Sequence, residues 1–162
     1  MNAASSPSVE IQLATDEADL PPQAEVARWV RAAAGAGYQG APGLGSITVR
    51  FVGRAEIAAL NRTYRGQTGA TNVLAFPGSA PAVPLPDHER EVGDVVICLP
   101  LSDQEAADRN TPATAHLAHL VVHGTLHLLG FEHDDERSAE QMESLETRVL
   151  QQLGFSDPYR EQ

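Results

Sequence analysis

Three histidines lie close together in the segment HGTLHLLGFEH, at positions 123, 127 and 133. Residues four apart on an α-helix share one face, so His123 and His127 can direct their imidazole rings at one point. Gly130 favours a left-handed end to such a helix, after which the chain can turn back and bring His133 to the same point. Three neutral imidazoles with one open coordination position are typical of a catalytic zinc site. We therefore predict one zinc ion held by His123, His127 and His133.

Two further histidines, His116 and His119, precede this segment. His119, His123 and His127 would form a row on one helix face, and the ends of that row are about 12 Å apart at a rise of about 1.5 Å per residue. Bonds of about 2 Å from each ring to one ion do not easily span such a row. We therefore expect His119 to support a ligand or to be a partly buried polar residue.

The composition describes one acidic domain. The chain has 162 residues, with 22 acidic against 11 basic side chains and a formal net charge of −11. Its one cysteine, Cys98, excludes an internal disulfide and suits a reducing compartment. The N-terminus lacks the basic and apolar stretches of a signal peptide, and no apolar run is long enough to span a bilayer. We expect a cytoplasmic single domain over residues 1–162 that is frayed at 1–7. The electric field of its net negative charge does not attract nucleic acid.

Hydrophobic periodicity predicts four strands and five helices. The strands are expected at 9–13, 47–52, 72–76 and 92–99, and the helices at 23–34, 54–65, 101–108, 111–129 and 138–153. Glycine- and proline-rich segments at 35–45 and 77–91 predict loops. The fourth strand is nearly all apolar after Asp94, which is typical of a central strand. The pattern predicts an α+β domain in which helices cover a small mixed sheet, with the three-histidine site at the end of a central helix.

The same spacing predicts the faces of two helices. The expected buried face of the second helix carries Ile57, Leu60 and Tyr64. The outer face of the last helix carries Glu140, Glu143 and Glu146, which we interpret as a solvated surface.

The histidine spacing also occurs in zinc peptidases with the motif HExxHxxGxxH. Those enzymes place a glutamate general base directly after the first histidine, where this chain has Gly124, so peptide hydrolysis is disfavoured. Other acids are available to orient a ligand imidazole, namely Glu132, Asp134, Asp135 and Asp94. Asp134 and Asp135 can equally cap the last helix.

The one locally basic stretch contains Arg50, Arg54, Arg62 and Arg65, opposed only by Glu56. Arg62 and Arg65 lie at the end of the second predicted helix, where cations meet the helix dipole favourably, so stability alone can account for them. A guanidinium group also fits phosphate oxygens and the charge that develops in phosphoryl transfer. Both interpretations stay open at the level of the residues.

With these residues assembled, the chain resembles the bacterial YbeY family of endoribonucleases and ribosomal RNA maturation factors. The matching segments, in family order, are LNRTYRG at 60–66, TNVLAFP at 71–77, GDVVIC at 93–98, HLAHLVVHGTLHLLGFEH at 116–133 and LGFSDPY at 153–159. The N-terminal third matches only in its general pattern.

The resemblance implies a single-strand-specific, metal-dependent endoribonuclease that matures the 3′ end of small-subunit ribosomal RNA and acts in ribosome quality control. Its partners would be ribosomal RNA, the small subunit and assembly proteins. The resemblance implies His123, His127 and His133 as metal ligands and Arg65 as a functional arginine. Zinc would activate water or the RNA 2′-hydroxyl, while Arg65 would stabilise the charge on the phosphoryl group. The sequence leaves the choice of nucleophile open.

Two alternatives remain. The first is a non-enzymatic, zinc-stabilised assembly factor that binds ribosome precursors and recruits other nucleases, which the acidic charge favours. The second is a zinc peptidase, which shares the ligand spacing but lacks the glutamate base at Gly124.

Overall fold

The structure is a computed structural model that describes residues 7–37, 45–78 and 91–159. Its elements in chain order are β1 (Ser8–Leu13), α1 (Gln23–Gly37), β2 (Ser46–Val52), α2 (Arg54–Arg65), β3 (Val73–Pro77), β4 (Glu91–Cys98), α3 (Leu99–Asp108), α4 (Ala113–Leu128) and α5 (Glu136–Gln152). The predicted α+β domain is confirmed. Within the described ranges, none of the helices combines the length and the apolar character needed to cross a membrane.

The four strands form one mixed sheet in the order β1-β2-β4-β3. β1, β2 and β4 run parallel, whereas β3 pairs with β4 in the antiparallel sense. β4 is therefore flanked on both sides, and its apolar run Val95–Cys98 is buried, as expected for a central strand. β3 lies at the edge of the sheet.

The two faces of the sheet are covered by different helices. Alternation along β4 directs Val95 and Ile97 into the main core, which includes residues of α1, α4 and α5. Val96 and Cys98 point the other way and pack with Ile57 of α2. The histidine-bearing helix α4 thus lies on one face, and α2, which ends at Arg65, lies on the other.

Gly124 allows α4 to lie directly against the sheet. A Cβ atom at this position would lie 2.5 Å from Cγ1 of Val95 and 3.1 Å from Cγ2 of Val73. Since both neighbours are β-branched strand residues with little freedom to move, no side chain fits there without a shift of the helix. The packing therefore accounts for the glycine, and it leaves no room for a peptidase glutamate at that position.

Two local predictions are wrong. α1 continues through Gly35 to Gly37, where a loop is expected; the remainder of that expected loop, residues 38–44, lies outside the described residues, as do 79–90 of the second expected loop. Tyr64 shares a helical face with the buried Ile57 but is 66% exposed. The reason is that the last turn of α2 extends over the edge strand β3, where the Tyr64 ring contacts Phe76 instead of the core.

We predict that Gly124→Ala destabilises the protein by about 1–3 kcal/mol, since the added methyl group overpacks the contact with Val95. Gly35→Ala is the matched control, because Gly35 is also helical and a Cβ there meets nothing within 4 Å. That control should be neutral or stabilising by up to about 1 kcal/mol through helix propensity. Urea denaturation of both variants measures the difference, and equal behaviour of the two would contradict the close-packing interpretation.

Candidate metal centre

The structure brings His123, His127 and His133 together. The Nε2 atoms of His123 and His127 lie 3.1 Å apart on consecutive turns of α4. The ring of His133 lies beside both, with centroid distances of 5.6 Å to His123 and 5.1 Å to His127. One ring nitrogen from each histidine falls within 4.8 Å of the other two, so the three form a group that could hold a metal ion.

The end of α4 explains how His133 reaches this group. Gly130 has φ of +100°, in the left-handed region that glycine adopts without strain. Its N–H donates to the carbonyl of His127 at 3.0 Å, and the N–H of Phe131 donates to the carbonyl of Leu126 at 3.1 Å. These two hydrogen bonds define a Schellman motif, which reverses the chain after the helix. The predicted glycine stop is therefore present, and it directs His133 back towards His127.

The spacing of one donor pair is compatible with a tetrahedral metal ion such as zinc. Two nitrogens bound at about 2.05 Å in tetrahedral geometry lie about 3.3 Å apart, close to the separation of the His123 and His127 nitrogens. Burial, reinforced by the neighbouring His123, lowers the pKa of His127. A lowered pKa favours the neutral imidazole, which is the form that binds metal.

A buried carboxylate lies directly behind the three histidines. Glu146 of α5 has no solvent-exposed side-chain surface, so its assignment to a solvated face is wrong. It lies four residues after the buried Met142 and one after Leu145, on the inner face of α5, whereas Glu140 and Glu143 are exposed. The helical spacing of Glu140, Glu143 and Glu146 therefore misled the prediction, because the inner face of α5 is wider than the apolar residues alone indicate.

Glu146 orients His123 through hydrogen bonds. One carboxylate oxygen of Glu146 accepts a hydrogen bond from Nδ1 of His123. The other oxygen accepts from the Tyr159 hydroxyl and from Nε2 of His119, which lies 3.1 Å away. When Nδ1 of His123 carries the proton, its Nε2 presents a lone pair to His127 and His133, which is the arrangement by which carboxylates support metal-binding histidines.

The charge on Glu146 is maintained by the same contacts. Burial by itself raises the pKa of Glu146, but the hydrogen bonds from His119, His123 and Tyr159 outweigh it and lower the pKa to about 2. Burial and the adjacent Glu146 carboxylate raise the pKa of Tyr159, so its hydroxyl stays protonated and donates. Glu146 is therefore an ionised acceptor surrounded by donors.

His119 belongs to this supporting network and not to the three-histidine group. Its Nε2 lies 3.1 Å from Glu146 and 3.2 Å from the Tyr159 hydroxyl, and the residue is partly buried, as expected. His119, His123 and Glu146 also lie close enough to hold an ion, but hydrogen bonds already join the donors of this second group to each other. His116 lies farther back and contacts Glu105 at 2.8 Å.

A cleft of about 730 Å³ opens over the three histidines, between α4, the edge strand β3 and the end of α2. Arg65, the last residue of α2, lines this cleft together with all three histidines. Gly66 follows with φ of +68° and ends the helix there. Among the other arginines of the basic stretch, Arg50 forms an ion pair with Glu56 at 2.7 Å and lies outside the cleft. Of the four, Arg65 alone is a lining residue of the cleft as far as the described ranges extend.

The nearby acids have different positions. Asp135 caps α5, since its side chain accepts from the backbone N–H of Ser138 at 2.8 Å, so the capping interpretation is confirmed for it. Glu132 and Asp134 line the cleft, and Glu132 lies 3.9 Å from Nδ1 of His127. Asp94 is not a cleft residue; it alternates with Val95 onto the α2 face of β4.

Comparison with known proteins identifies the family. A family model described as endoribonuclease YbeY matches residues 10–154. The chain belongs to the endoribonuclease YbeY family. A YbeY protein from Alkalilimnicola ehrlichii is 47% identical over 99% of this chain and 95% of its own length. YbeY proteins of Nitrosococcus oceani and Alcanivorax borkumensis are 46% and 45% identical, covering 94% and 98% of this chain and 96% and 90% of their own lengths.

A solved structure shares the fold. The solution structure of TM1509 from Thermotoga maritima superimposes with a TM-score of 0.56, covering 94% of this chain and 99% of that chain, at 21% sequence identity. At this level of identity the likeness concerns the fold, and it agrees with the α+β architecture described above.

We predict that Glu146→Gln lowers the free energy of unfolding of metal-free protein by about 1–3 kcal/mol. The amide cannot accept from all three donors, and its NH₂ group faces one of them. Glu140→Gln is the control on the exposed side of the same helix, with an expected change within about 0.5 kcal/mol. Urea denaturation in the presence of a chelator measures both, and a loss of equal size in the two variants would show that the buried hydrogen bonds contribute nothing specific.

Proposed function

We propose that this chain is a metal-dependent endoribonuclease that cleaves single-stranded RNA and acts in the maturation of small-subunit ribosomal RNA, especially at its 3′ end, and in ribosome quality control. The observation that carries the proposal is the convergence of three imidazoles and Arg65 on one cleft, in a chain that belongs to the endoribonuclease YbeY family. Since ribosomal RNA is matured where ribosomes assemble, the proposal places the protein in the cytoplasm.

One zinc ion is proposed as the cofactor, with His123, His127 and His133 as its ligands. Three imidazole nitrogen donors, and the 3.1 Å separation of the His123 and His127 nitrogens, support zinc over magnesium or calcium, which prefer oxygen ligands. When bound, zinc supplies a positive charge that attracts a phosphate oxygen, and it lowers the pKa of a bound water molecule. Glu146 holds the His123 ring in the tautomer that this binding requires.

Arg65 is proposed as the residue that contacts the scissile phosphate. Its guanidinium group carries a permanent charge and a planar set of donors that match two phosphate oxygens. Hydrogen-bond donors that are already positioned at the point where negative charge develops during the reaction stabilise the transition state more than the ground state. Arg62 lies in the same last turn of α2 but outside the cleft. Comparing substitutions of the two arginines therefore distinguishes a phosphate contact from a favourable interaction with the helix dipole.

The acidic charge of the chain bears on its partners. A net charge of −11 does not draw RNA by long-range attraction, and Glu132 and Asp134 add negative charge to the cleft itself. RNA binding would then depend on short-range contacts and on docking through proteins of the small ribosomal subunit. The same charge supports the second candidate, a zinc-stabilised assembly factor that binds ribosome precursors without cutting RNA.

Cleavage of an end-labelled single-stranded RNA tests the proposal. We expect purified protein to cleave after zinc loading, to lose activity when the metal is stripped, and to recover it on addition of zinc. His127→Ala should be inactive, and it also controls for contaminating ribonucleases, which would cleave equally in both preparations. The ends of the products distinguish the nucleophile, because attack by the 2′-hydroxyl leaves a 2′,3′-cyclic phosphate. Absence of metal-dependent cleavage, together with binding to pre-ribosomal particles, would favour the assembly factor.

We predict that Arg65→Ala lowers kcat/KM for RNA cleavage by about 10²–10³-fold while zinc content stays unchanged. Arg62→Ala should retain activity close to wild type, because it shares the helix end but not the cleft. Single-turnover cleavage and metal analysis of both variants provide the comparison. Zinc loss in Arg65→Ala, or equal loss of activity in Arg62→Ala, would show that Arg65 acts on the fold and not on the phosphate.

A further inference from the structure

An exposed aromatic ring stands at the cleft next to Arg65. Tyr64 is 66% exposed, more than Leu13 at 50% or Tyr159 at 43%, the other exposed large hydrophobic residues in the described ranges. It lines the same cleft as Arg65 and the three histidines. A large aromatic surface left in water at the mouth of a site is available to a ligand with an apolar face.

The Tyr64 ring packs against an aromatic side chain of the edge strand. Its ring packs edge-to-face against Phe76 of β3, with centroids 5.3 Å apart and an interplanar angle of 68°. Phe76 is itself partly buried on the α2 side of the sheet and packs against the small cluster that contains Val96. One side of the tyrosine therefore packs on the edge strand, while 66% of the residue remains exposed.

We propose that Tyr64 is a stacking platform for a base of single-stranded RNA, beside the phosphate-binding Arg65. This inference rests on the proposed function and names the contact that selects unpaired RNA. A base in a duplex already stacks on its neighbours, whereas an unpaired base can be placed on an aromatic side chain. Stacking of this kind accepts any base, since each base has a flat π-face.

The positions of Tyr64 and Arg65 match the arrangement of a base and a neighbouring phosphate in RNA. Tyr64 and Arg65 are adjacent in the chain at the end of α2, and both lie along the cleft that leads to the histidines. Base and phosphate are likewise adjacent along RNA, so a strand can place a phosphate on the guanidinium group and a neighbouring base on the ring. The cleft of about 730 Å³ lies within the range of small-ligand sites, about 300–1,000 Å³, and exceeds what a phosphate alone would fill.

The test measures RNA binding separately from cleavage. Fluorescently labelled single-stranded RNA is titrated with full-length protein in chelator-containing buffer, which prevents metal-dependent cutting. We expect Tyr64→Ala to weaken binding by about tenfold, the effect of one stacked base, and Tyr64→Phe to bind as wild type does. Leu13→Ala removes a different exposed apolar side chain, outside the cleft, and should bind normally.

A second measurement tests whether the Tyr64 ring contacts an RNA base. A fully abasic RNA of the same length is compared with the base-containing RNA, and we expect removal of the bases to weaken binding to wild type more than it weakens binding to Tyr64→Ala. Binding of double-stranded RNA should not depend on Tyr64. Unchanged binding by Tyr64→Ala, equal losses in Tyr64→Phe or Leu13→Ala, or an equal effect of base removal on wild type and Tyr64→Ala would overturn the proposal. These outcomes differ from failure of the proposed function, in which zinc-loaded wild-type protein does not cleave single-stranded RNA.

Discussion

The close packing of α4 against the sheet is the constraint on which the rest of the structure depends. α4 contacts α1, α3, α5, β3 and β4, and most of its residues are buried. It must still present His123 and His127 at the base of an accessible cleft. Gly124 allows both, because it has no side chain and the helix can therefore lie directly on Val95. The imidazoles of His123 and His127, on either side of this glycine in the chain, line the cleft. The same glycine separates this site from zinc peptidases by sterics as well as by chemistry.

The second organising contact is the buried Glu146 carboxylate. An ionised group in the interior costs several kcal/mol unless hydrogen bonds replace its water. Here the donors come from His119 and His123 of α4 and from Tyr159 after α5, so one carboxylate joins three parts of the chain. Because His123 is both a donor to Glu146 and a member of the three-histidine group, the orientation of its ring at the cleft is coupled to the packing of α5 against α4.

The sequence by itself determined the features that arise within a few residues of one another. The spacing of His123 and His127 places both rings on one helix face, and Gly130 supplies the left-handed conformation that returns His133 to them. Alternating and continuous apolar runs likewise identified all four strands and the central position of β4. These signals are local, since helix periodicity, strand alternation and helix termination need only neighbouring residues.

Only the tertiary structure shows which of several chemically similar residues lie close to the three histidines. Four arginines share one basic stretch, but the path of α2 across the sheet places Arg65 at the cleft while Arg50 pairs with Glu56. Glu140 and Glu146 look alike in the sequence, yet only Glu146 is buried, because α4 and the C-terminal segment cover that side of α5. Tyr64 follows the apolar spacing of α2 but extends beyond the core. Burial and proximity depend on where other elements lie, and no local pattern encodes that.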